Sequence, residues 1–324
     1  MLDPPVEVTA LVNPQAAGVL GRNGNYAAGL SEVVVYDKRG GDKGFGSFRS
    51  LGKKLRENNF DIVVSPHRSY RSAALALLTR APVRIGFNEN ALWPVWTSRV
   101  ERRWDLHEVN RNVGLLEPLG GLPKGFVPAP EVAVTIEGVK GAVRIAGGFF
   151  REELKVGVAP GSIWGTKRWP AHYFSRFIDM MRAEREEARF VLVGGPGDVG
   201  TAAAVKDKAE VDVLDLSGKT GIEEMVGLIR KLDILVTNDT GPMHVAAALG
   251  IPVVAIFGAT TPGLGFAPYT DKRKVVEPPG GLDCRPCGLH GPKSCPKGHF
   301  KCMNDITPEA VLDATLSLLN SDKK

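Results

Sequence analysis

The sequence predicts an α/β fold built from two domains, each with a parallel sheet. Short β-branched runs alternate with stretches of helical length along most of the chain. A Gly/Pro-rich passage at residues 120–130 interrupts this alternation, and a second alternating set begins near Lys155. Since strands separated by helices form parallel sheets with right-handed crossovers, we expect two such domains, 1–148 and 149–324, that face each other across a cleft.

The first domain is expected to contain four strands and three helices. The strands are apolar, β-branched runs that end at Gly, Pro or charged residues, and the helices carry spaced apolar positions. The predicted strands are 6–12, 32–36, 61–65 and 83–87, and the predicted helices are 48–58, 69–78 and 107–116.

The second domain shows the same alternation with more strongly apolar strands. Its predicted strands are 155–159, 189–193, 211–214, 233–237 and 253–257, and its predicted helices are 171–184, 201–209, 222–230 and 241–249. A closing helix is predicted to run to Leu319, because Thr307 is a suitable N-cap and Pro308 fits the first helical turn.

Composition places the chain among globular proteins, with 324 residues, 43% hydrophobic and 24% charged. It contains no apolar run of transmembrane length and no signal-peptide pattern at its start, so we expect a cytoplasmic protein. The net charge of +5 comes from residues 1–150, which hold 19 basic and 14 acidic side chains. This excess suits a phosphorylated lipid, a membrane surface or nucleic acid, although a solvated basic face explains it equally well. No RNA-binding signature favours nucleic acid.

A candidate anion site follows the predicted strand that ends at Thr237. Asn238 and Asp239 are predicted to cap a helix that has Pro242 in its first turn and ends at Gly250. The N–H groups at the start of such a helix, those of Thr240, Gly241 and Met243, favour an anion above the strand ends. A capped βαβ unit without a ligand is the alternative. A lone histidine beside a helix N-terminus, such as His244, is more often a structural group than a catalytic one.

Three further loops follow strand ends in the second domain. The first supplies Ser162 and the mobile cation of Lys167, both suited to phosphate. The second contains Asp198, which fits either a ribose hydroxyl or a helix cap, and the third, at 216–221, offers backbone groups for a base edge. Because glycine turns are common in α/β folds, only their recurrence at successive strand ends indicates a nucleotide-diphosphate site.

Several motifs together resemble the ADP-heptose:lipopolysaccharide heptosyltransferases of glycosyltransferase family 9, especially the heptosyltransferase II type. In the second half they are PGSIWGTKRWP from Pro160, VLVGGPGD from Val191, the NDTGPMHVAAALGIPVVAIFG run from Asn238 and the Cys-rich segment from Cys284. In the first half they are VVVYDKRG, DIVVSPHRSYRSA and APVRIGF.

The resemblance implies a GT-B enzyme with two Rossmann-like domains, inverting transfer of heptose from ADP-heptose to the lipopolysaccharide inner core, and no cofactor. It implies a phosphorylated lipid A-core acceptor, bound with peripheral contact to the inner-membrane surface. Mapped onto this sequence, the resemblance implies that Ser162 and Lys167 contact the donor phosphates and that Asp198 and Thr220 contact the nucleoside. The heptose and pyrophosphate would be bound by Asp239, Thr240, Gly241 and His244. Lys167, Thr240 and Gly241 would stabilise the leaving group, and Arg68 and Arg71 are the candidate acceptor residues.

The resemblance also predicts that the catalytic base is not present in this chain. The family opens with a strand, a Gly-Asp loop and a helix, and that loop, which carries the base, precedes the segment similar to Val6–Val12. We therefore expect either a truncated start or a donor-binding relic, with apolar sheet surface left exposed. Asp42 has a similar local sequence but follows a later strand.

The four cysteines, Cys284, Cys287, Cys295 and Cys302, all fall within one segment with His290 and His299 interleaved. Their spacing alone indicates a structural zinc or iron–sulfur site. The resemblance points the other way, because the family is not understood to depend on a metal. The prediction is therefore no metal, with these cysteines as the candidate ligands if one binds.

Two other classes of function stay open. A non-catalytic nucleotide-sugar-binding protein would explain the missing first strand–loop–helix unit. An NAD-dependent oxidoreductase is disfavoured because no G-x-G-x-x-G motif follows an early strand with an acidic residue about 20 positions later. Binding of ADP, UDP and NAD would separate these possibilities.

Overall fold

The computed structural model describes residues 6–22 and 24–321 and divides into two compact units. The smaller unit comprises residues 10–14 and 34–130, and the larger one comprises the residues up to 9, 15–33 and 131 onwards. This division falls one helix before the predicted boundary between residues 148 and 149. This helix, Ile136–Ala146, belongs to the larger unit because it packs closely against the helix Ile222–Ile229. A Cβ added to its Gly138 would lie 2.5 Å from the backbone oxygen of Glu223.

In chain order, the elements before residue 130 are β1 (Thr9–Val12), α1 (Pro14–Leu20), β2 (Gly21–Arg22), β3 (Asn25–Tyr26), β4 (Glu32–Val35), α2 (Phe45–Glu57), β5 (Ile62–Ser65), α3 (Tyr70–Thr79), β6 (Val83–Phe87), β7 (Ser98–Val100) and α4 (Glu108–Gly114). All four predicted strands and three predicted helices are present; the predicted bounds of β6 are confirmed, and the other elements have shifted ends. Helix α1 and the short strands β2, β3 and β7 were not predicted.

The smaller unit contains a parallel sheet of order β5-β6-β7, while β1 pairs with β4 in a separate two-stranded sheet. Strand β5 is an edge of its sheet, and its apolar residues Ile62 and Val64 are 40% and 39% exposed. Leu11 of β1 is also exposed. Apolar side chains on these strands are therefore exposed at the open edges of the two sheets.

After residue 130, the elements are α5 (Ile136–Ala146), β8 (Leu154–Ala159), α6 (Ala171–Glu184), β9 (Ala188–Leu192), α7 (Val199–Lys206), β10 (Val213–Asp215), α8 (Ile222–Ile229), β11 (Ile234–Asn238), α9 (Gly241–Ala248), β12 (Val253–Ile256), β13 (Arg273–Val276), α10 (Lys301–Asn304) and α11 (Pro308–Ser321). Here α5, β13 and α10 were not predicted. The predicted bounds of α6 are confirmed.

The large sheet has the order β10-β9-β8-β11-β12-β13, and every neighbouring pair is parallel. Alternate side chains of the strands point to opposite faces of the sheet and pack into two cores. One core lies under α6, α7 and α11, and the other lies under α5, α8 and α9. Because the chain reverses its direction of sheet growth between β8 and β11, a crevice opens at their carboxyl ends. The α/β class predicted from the sequence is confirmed, and no helix within the described part of the chain is long and apolar enough to cross a membrane.

Candidate active site

A buried ion pair lies at the crevice between the ends of β8 and β11. Lys167, in a short 3₁₀ turn after β8, places its Nζ 2.6 Å from Oδ2 of Asp239, the residue that follows β11. Both residues are less than 10% exposed. A charge at this depth is stable only with a partner, so each side chain holds the other in place at the strand ends.

The hydroxyl of Thr260 completes this pair. It donates a 2.7 Å hydrogen bond to the same Oδ2 atom of Asp239, and Thr260 is 2% exposed. The sequence reasoning did not select this residue. The available signal was its position just after β12, the strand that pairs with β11, because neighbouring parallel strands deliver their following loops to one edge.

Asn238 joins the loop after β8 to the end of β11. The sequence predicted that it would cap α9, and it does not. Its Nδ2 donates to the Pro160 carbonyl at 2.8 Å, and its Oδ1 accepts the Trp169 backbone N–H at 3.1 Å. Asp239 is likewise engaged by Lys167. The capping prediction fails because both polar side chains are used in tertiary contacts.

The N-terminus of α9 lies directly after this cluster. Thr240 is its N-cap residue and makes no side-chain capping bond, while Gly241 is exposed. The Met243 N–H, which the sequence predicted to face an anion, instead donates to the Thr240 carbonyl. His244 is exposed on the first turn. The helix end is as predicted, because Gly250 has a φ of +69°, which glycine adopts without strain.

Ser162 is buried in the loop after β8, at 6% exposure. Its Oγ accepts a 3.3 Å hydrogen bond from the Trp164 N–H, and its carbonyl accepts one of 2.7 Å from the Arg168 Nε. These bonds hold the loop between β8 and Lys167 in one conformation. The Ser162 hydroxyl proton can still be donated to a ligand oxygen.

Asp198 connects the loops after β8 and β9. Its Oδ2 accepts the Gly195 N–H at 2.9 Å, and its side chain fills the space that a Cβ on Gly161 would occupy. It makes no side-chain capping bond to α7. Thr220 is half-buried in the loop after β10, which is separated from β8 by β9. The structure therefore joins Lys167 to Asp239 directly and spreads Asp198 and Thr220 along the same sheet edge.

The candidate acceptor residues Arg68 and Arg71 belong to the smaller unit, and both are exposed. Arg68 forms a 3.0 Å ion pair with Glu89, which also accepts the Trp104 indole N–H at 2.9 Å. Arg71 donates to the Tyr36 hydroxyl at 3.2 Å. These contacts hold both guanidinium groups in defined positions.

A cleft of about 400 Å³ lies next to Tyr36, the residue that accepts the Arg71 hydrogen bond. It is lined by Val34, Val35, Tyr36, Asp42, Gly46, Ser47, Ser50, Leu51 and Lys54. Asp42 faces this cleft, and one of its oxygens accepts the Asp37 N–H at 2.7 Å.

The cysteines are all free thiols. Cys284 Sγ lies 3.9 Å from His299 Nε2, and the Cys287 thiol donates to the Cys284 carbonyl at 3.0 Å. Burial raises the pKa of Cys302 to about 11, whereas backbone N–H groups, that of Phe300 first, lower the pKa of Cys295. Across residues 6–22 and 24–321, no three His, Cys, Asp or Glu side chains are arranged to hold a metal ion.

This arrangement resembles what a diphosphate-binding site requires: a buried lysine, a hydroxyl and an exposed helix N-terminus at one switch point. Comparison with known proteins agrees. The model of glycosyltransferase family 9 (heptosyltransferase) matches residues 48–288. The chain belongs to this family. It is a glycosyltransferase of the heptosyltransferase family, which confirms the resemblance deduced from the motifs.

Relatives of this heptosyltransferase chain extend over most of its length. Lipopolysaccharide heptosyltransferase 2 of Salmonella typhimurium is 28% identical over 315 residues, which cover 90% of this chain and 85% of the relative. A family 9 glycosyltransferase structure from Veillonella parvula superposes with a TM-score of 0.83, at 24% identity, over 97% of this chain and 88% of that one. ADP-heptose lipopolysaccharide heptosyltransferase II of Escherichia coli gives a TM-score of 0.79, at 23% identity, over 99% and 92%. These superpositions confirm the GT-B fold class.

Proposed function

We propose that this heptosyltransferase transfers heptose from ADP-heptose to the inner core of lipopolysaccharide, with inversion at the sugar. The Lys167–Asp239–Thr260 cluster at the switch point of the larger sheet carries the proposal. Family membership supplies the chemistry, and the cluster supplies the place where the donor binds.

The donor lies along the carboxyl ends of the strands. The nucleoside occupies the side of Asp198 and Thr220, after β9 and β10, and the pyrophosphate lies between Ser162 and Lys167. The heptose then meets Asp239 and His244. From β10 to β11 the sheet makes three interstrand steps of about 4.8 Å, or about 14 Å, which suits an extended nucleotide-sugar.

Departure of ADP leaves negative charge on the β-phosphate. The Lys167 ammonium and the N–H groups of Thr240 and Gly241 stabilise that charge, because preorganised donors in a partly buried site require little reorganisation. Asp239 holds the ammonium in position through its 2.6 Å contact.

The acceptor binds to the smaller unit. Arg68 and Arg71 are exposed cations suited to the phosphates of a lipid A-core acceptor, and the cleft next to Tyr36 offers hydroxyl and carboxylate groups for sugar recognition. The basic excess of residues 1–150 favours a protein of the cytoplasm that contacts the anionic face of the inner membrane.

Inverting transfer also needs a base for the acceptor hydroxyl, and we assign none among the described residues. This leaves the second candidate function, a donor-binding protein without transferase activity. Asp42 faces the cleft and is the residue to test against this assignment.

Two measurements test the proposal. Calorimetry should show that the chain binds ADP in preference to UDP and NAD, and that Lys167→Gln weakens ADP binding at least tenfold. Preference for UDP or NAD would refute it. Heptosyl transfer to heptose-deficient lipopolysaccharide, measured for the chain and for Asp42→Asn, then addresses the base. Robust transfer would contradict the prediction that the base is absent, and its loss in Asp42→Asn would assign the base to Asp42.

A further inference from the structure

The segment between β13 and α10, residues 277–300, forms no helix or strand. It is nevertheless hydrogen-bonded to residues of the candidate donor site at two points. It contains three of the four cysteines, Cys284, Cys287 and Cys295, and the proposed function leaves their sequence pattern unused. Long irregular segments in compact domains usually have a specific role or contact. Here the contacts lead to both members of the Lys167–Asp239 pair.

The first contact reaches Lys167 through its neighbour Thr166, which is 1% exposed. The Pro292 carbonyl accepts hydrogen bonds from the Thr166 hydroxyl at 2.7 Å and from its N–H at 3.4 Å. Gly291, with a φ of +72°, lies so close that an added Cβ would be 2.8 Å from Thr166 Oγ1 and 3.8 Å from Lys167 Cγ. The segment therefore forms a wall behind the 3₁₀ turn that carries Lys167.

The second contact reaches Asp239 through Thr260. The Arg285 side chain is only 10% exposed, and its Nη2 donates to the Thr260 carbonyl at 3.0 Å and to the Phe257 carbonyl at 3.1 Å. Glu277 balances the charge at 2.8 Å. A guanidinium that bonds two carbonyls of the loop after β12 fixes this loop, which holds the Thr260 hydroxyl on Asp239.

We propose that the segment 285–292 positions the donor-binding pair. Gly291 permits the close contact with Thr166 that places Lys167, and Arg285 orients the Thr260 hydroxyl toward Asp239. This inference rests on the proposed function, in which the pair binds the donor diphosphate. Gly291 and Arg285 are positioning residues, because they act through Thr166 and Thr260 and touch no reacting atom.

A matched pair of glycine substitutions tests the first contact. Gly291 and Gly288 both have positive φ, +72° and +77°, so alanine strains the backbone similarly at either position. A Cβ on Gly288 meets nothing within 4 Å, whereas one on Gly291 meets Thr166. Gly291→Ala should weaken ADP binding at least fivefold in calorimetry, and Gly288→Ala should stay within twofold of the unmodified chain.

Arg285→Gln provides a second variant in case alanine at 291 prevents folding. It should weaken ADP binding at least threefold and raise the donor KM more than it lowers kcat. Arg176→Gln is its control, because Arg176 pairs with Glu309 in an exposed position. ADP binding that depends on Lys167 but is unchanged in both Gly291→Ala and Arg285→Gln would overturn the positioning role alone. ADP binding that ignores Lys167→Gln would overturn the proposed function beneath it.

Discussion

Trp169 donates its backbone N–H to the Asn238 side chain at 3.1 Å, and this bond spans the central crevice of the larger sheet. Asn238 is fully buried, and the other half of its amide donates to the Pro160 carbonyl. One side chain thus uses a donor and an acceptor to hold two strand ends together.

Asn238→Asp should destabilise the larger unit by about 2–4 kcal/mol, because a carboxylate oxygen would replace the donor that faces the Pro160 carbonyl in a buried site. Urea unfolding followed by circular dichroism measures this loss. Asn304→Asp, at an exposed position, should change stability by less than about 0.5 kcal/mol. Equal effects of the two substitutions would contradict the bridging role of Asn238.

Thr260→Val should raise the donor KM and reduce stability by about 1–3 kcal/mol, since it removes a hydrogen bond to a buried carboxylate while preserving the shape of the side chain. Thr270→Val is a suitable control, because Thr270 accepts a bond from the exposed Lys272 backbone. Thermal unfolding and donor saturation curves check both effects. A Thr260→Val chain with an unchanged KM would remove Thr260 from the site.

Arg111→Lys should destabilise the smaller unit by about 2–4 kcal/mol. Arg111 is 2% exposed and donates to the Arg103 carbonyl at 3.0 Å and to the Trp104 carbonyl at 2.5 Å, bonds that an ammonium cannot reproduce together. Arg103→Lys alters only an exposed ion pair with Asp105 and should cost less than about 1 kcal/mol. Equilibrium unfolding of both variants decides between a structural and a surface role for Arg111.

The cysteines should react with iodoacetamide in a fixed order at pH 8, Cys295 first and Cys302 last. A thiolate is the reactive form, so the lowered pKa of Cys295 speeds alkylation and the pKa of about 11 for Cys302 slows it. Raising the pH toward 11 should narrow the difference. Mass spectrometry of timed samples, with unfolded protein as the control, measures the order. Equal protection of all four thiols would indicate a shared ligand such as a metal ion.

The elements that the sequence predicted well are those whose local signals agree with their tertiary surroundings. Helix α6 and the strands β8, β9, β11 and β12 carry apolar residues at the positions that pack into the two cores of the larger unit. Helix α5 escaped prediction because its glycines, Gly138 and Gly141, look like loop residues but serve a close helix contact.

The site was predicted in part for a similar reason. Lys167 and Asp239 stand in glycine-rich loops after strands, and strand order brings them together. The functions of Asn238, Thr260 and Arg285 depend on contacts between residues 21 to 78 positions apart, and no local pattern reports these. Asn238 shows the limit clearly, since its type and position fit a helix cap but its side chain makes a different bond.

The order of strands in the large sheet distributes donor recognition over several loops. In the proposed orientation, residues after β9 and β10 meet the nucleoside, while those after β11 and β12 meet the sugar, with the β8 loop between them. Such a scaffold lets evolution exchange the transferred sugar without rebuilding the nucleotide pocket, and it offers protein engineers the same modular route.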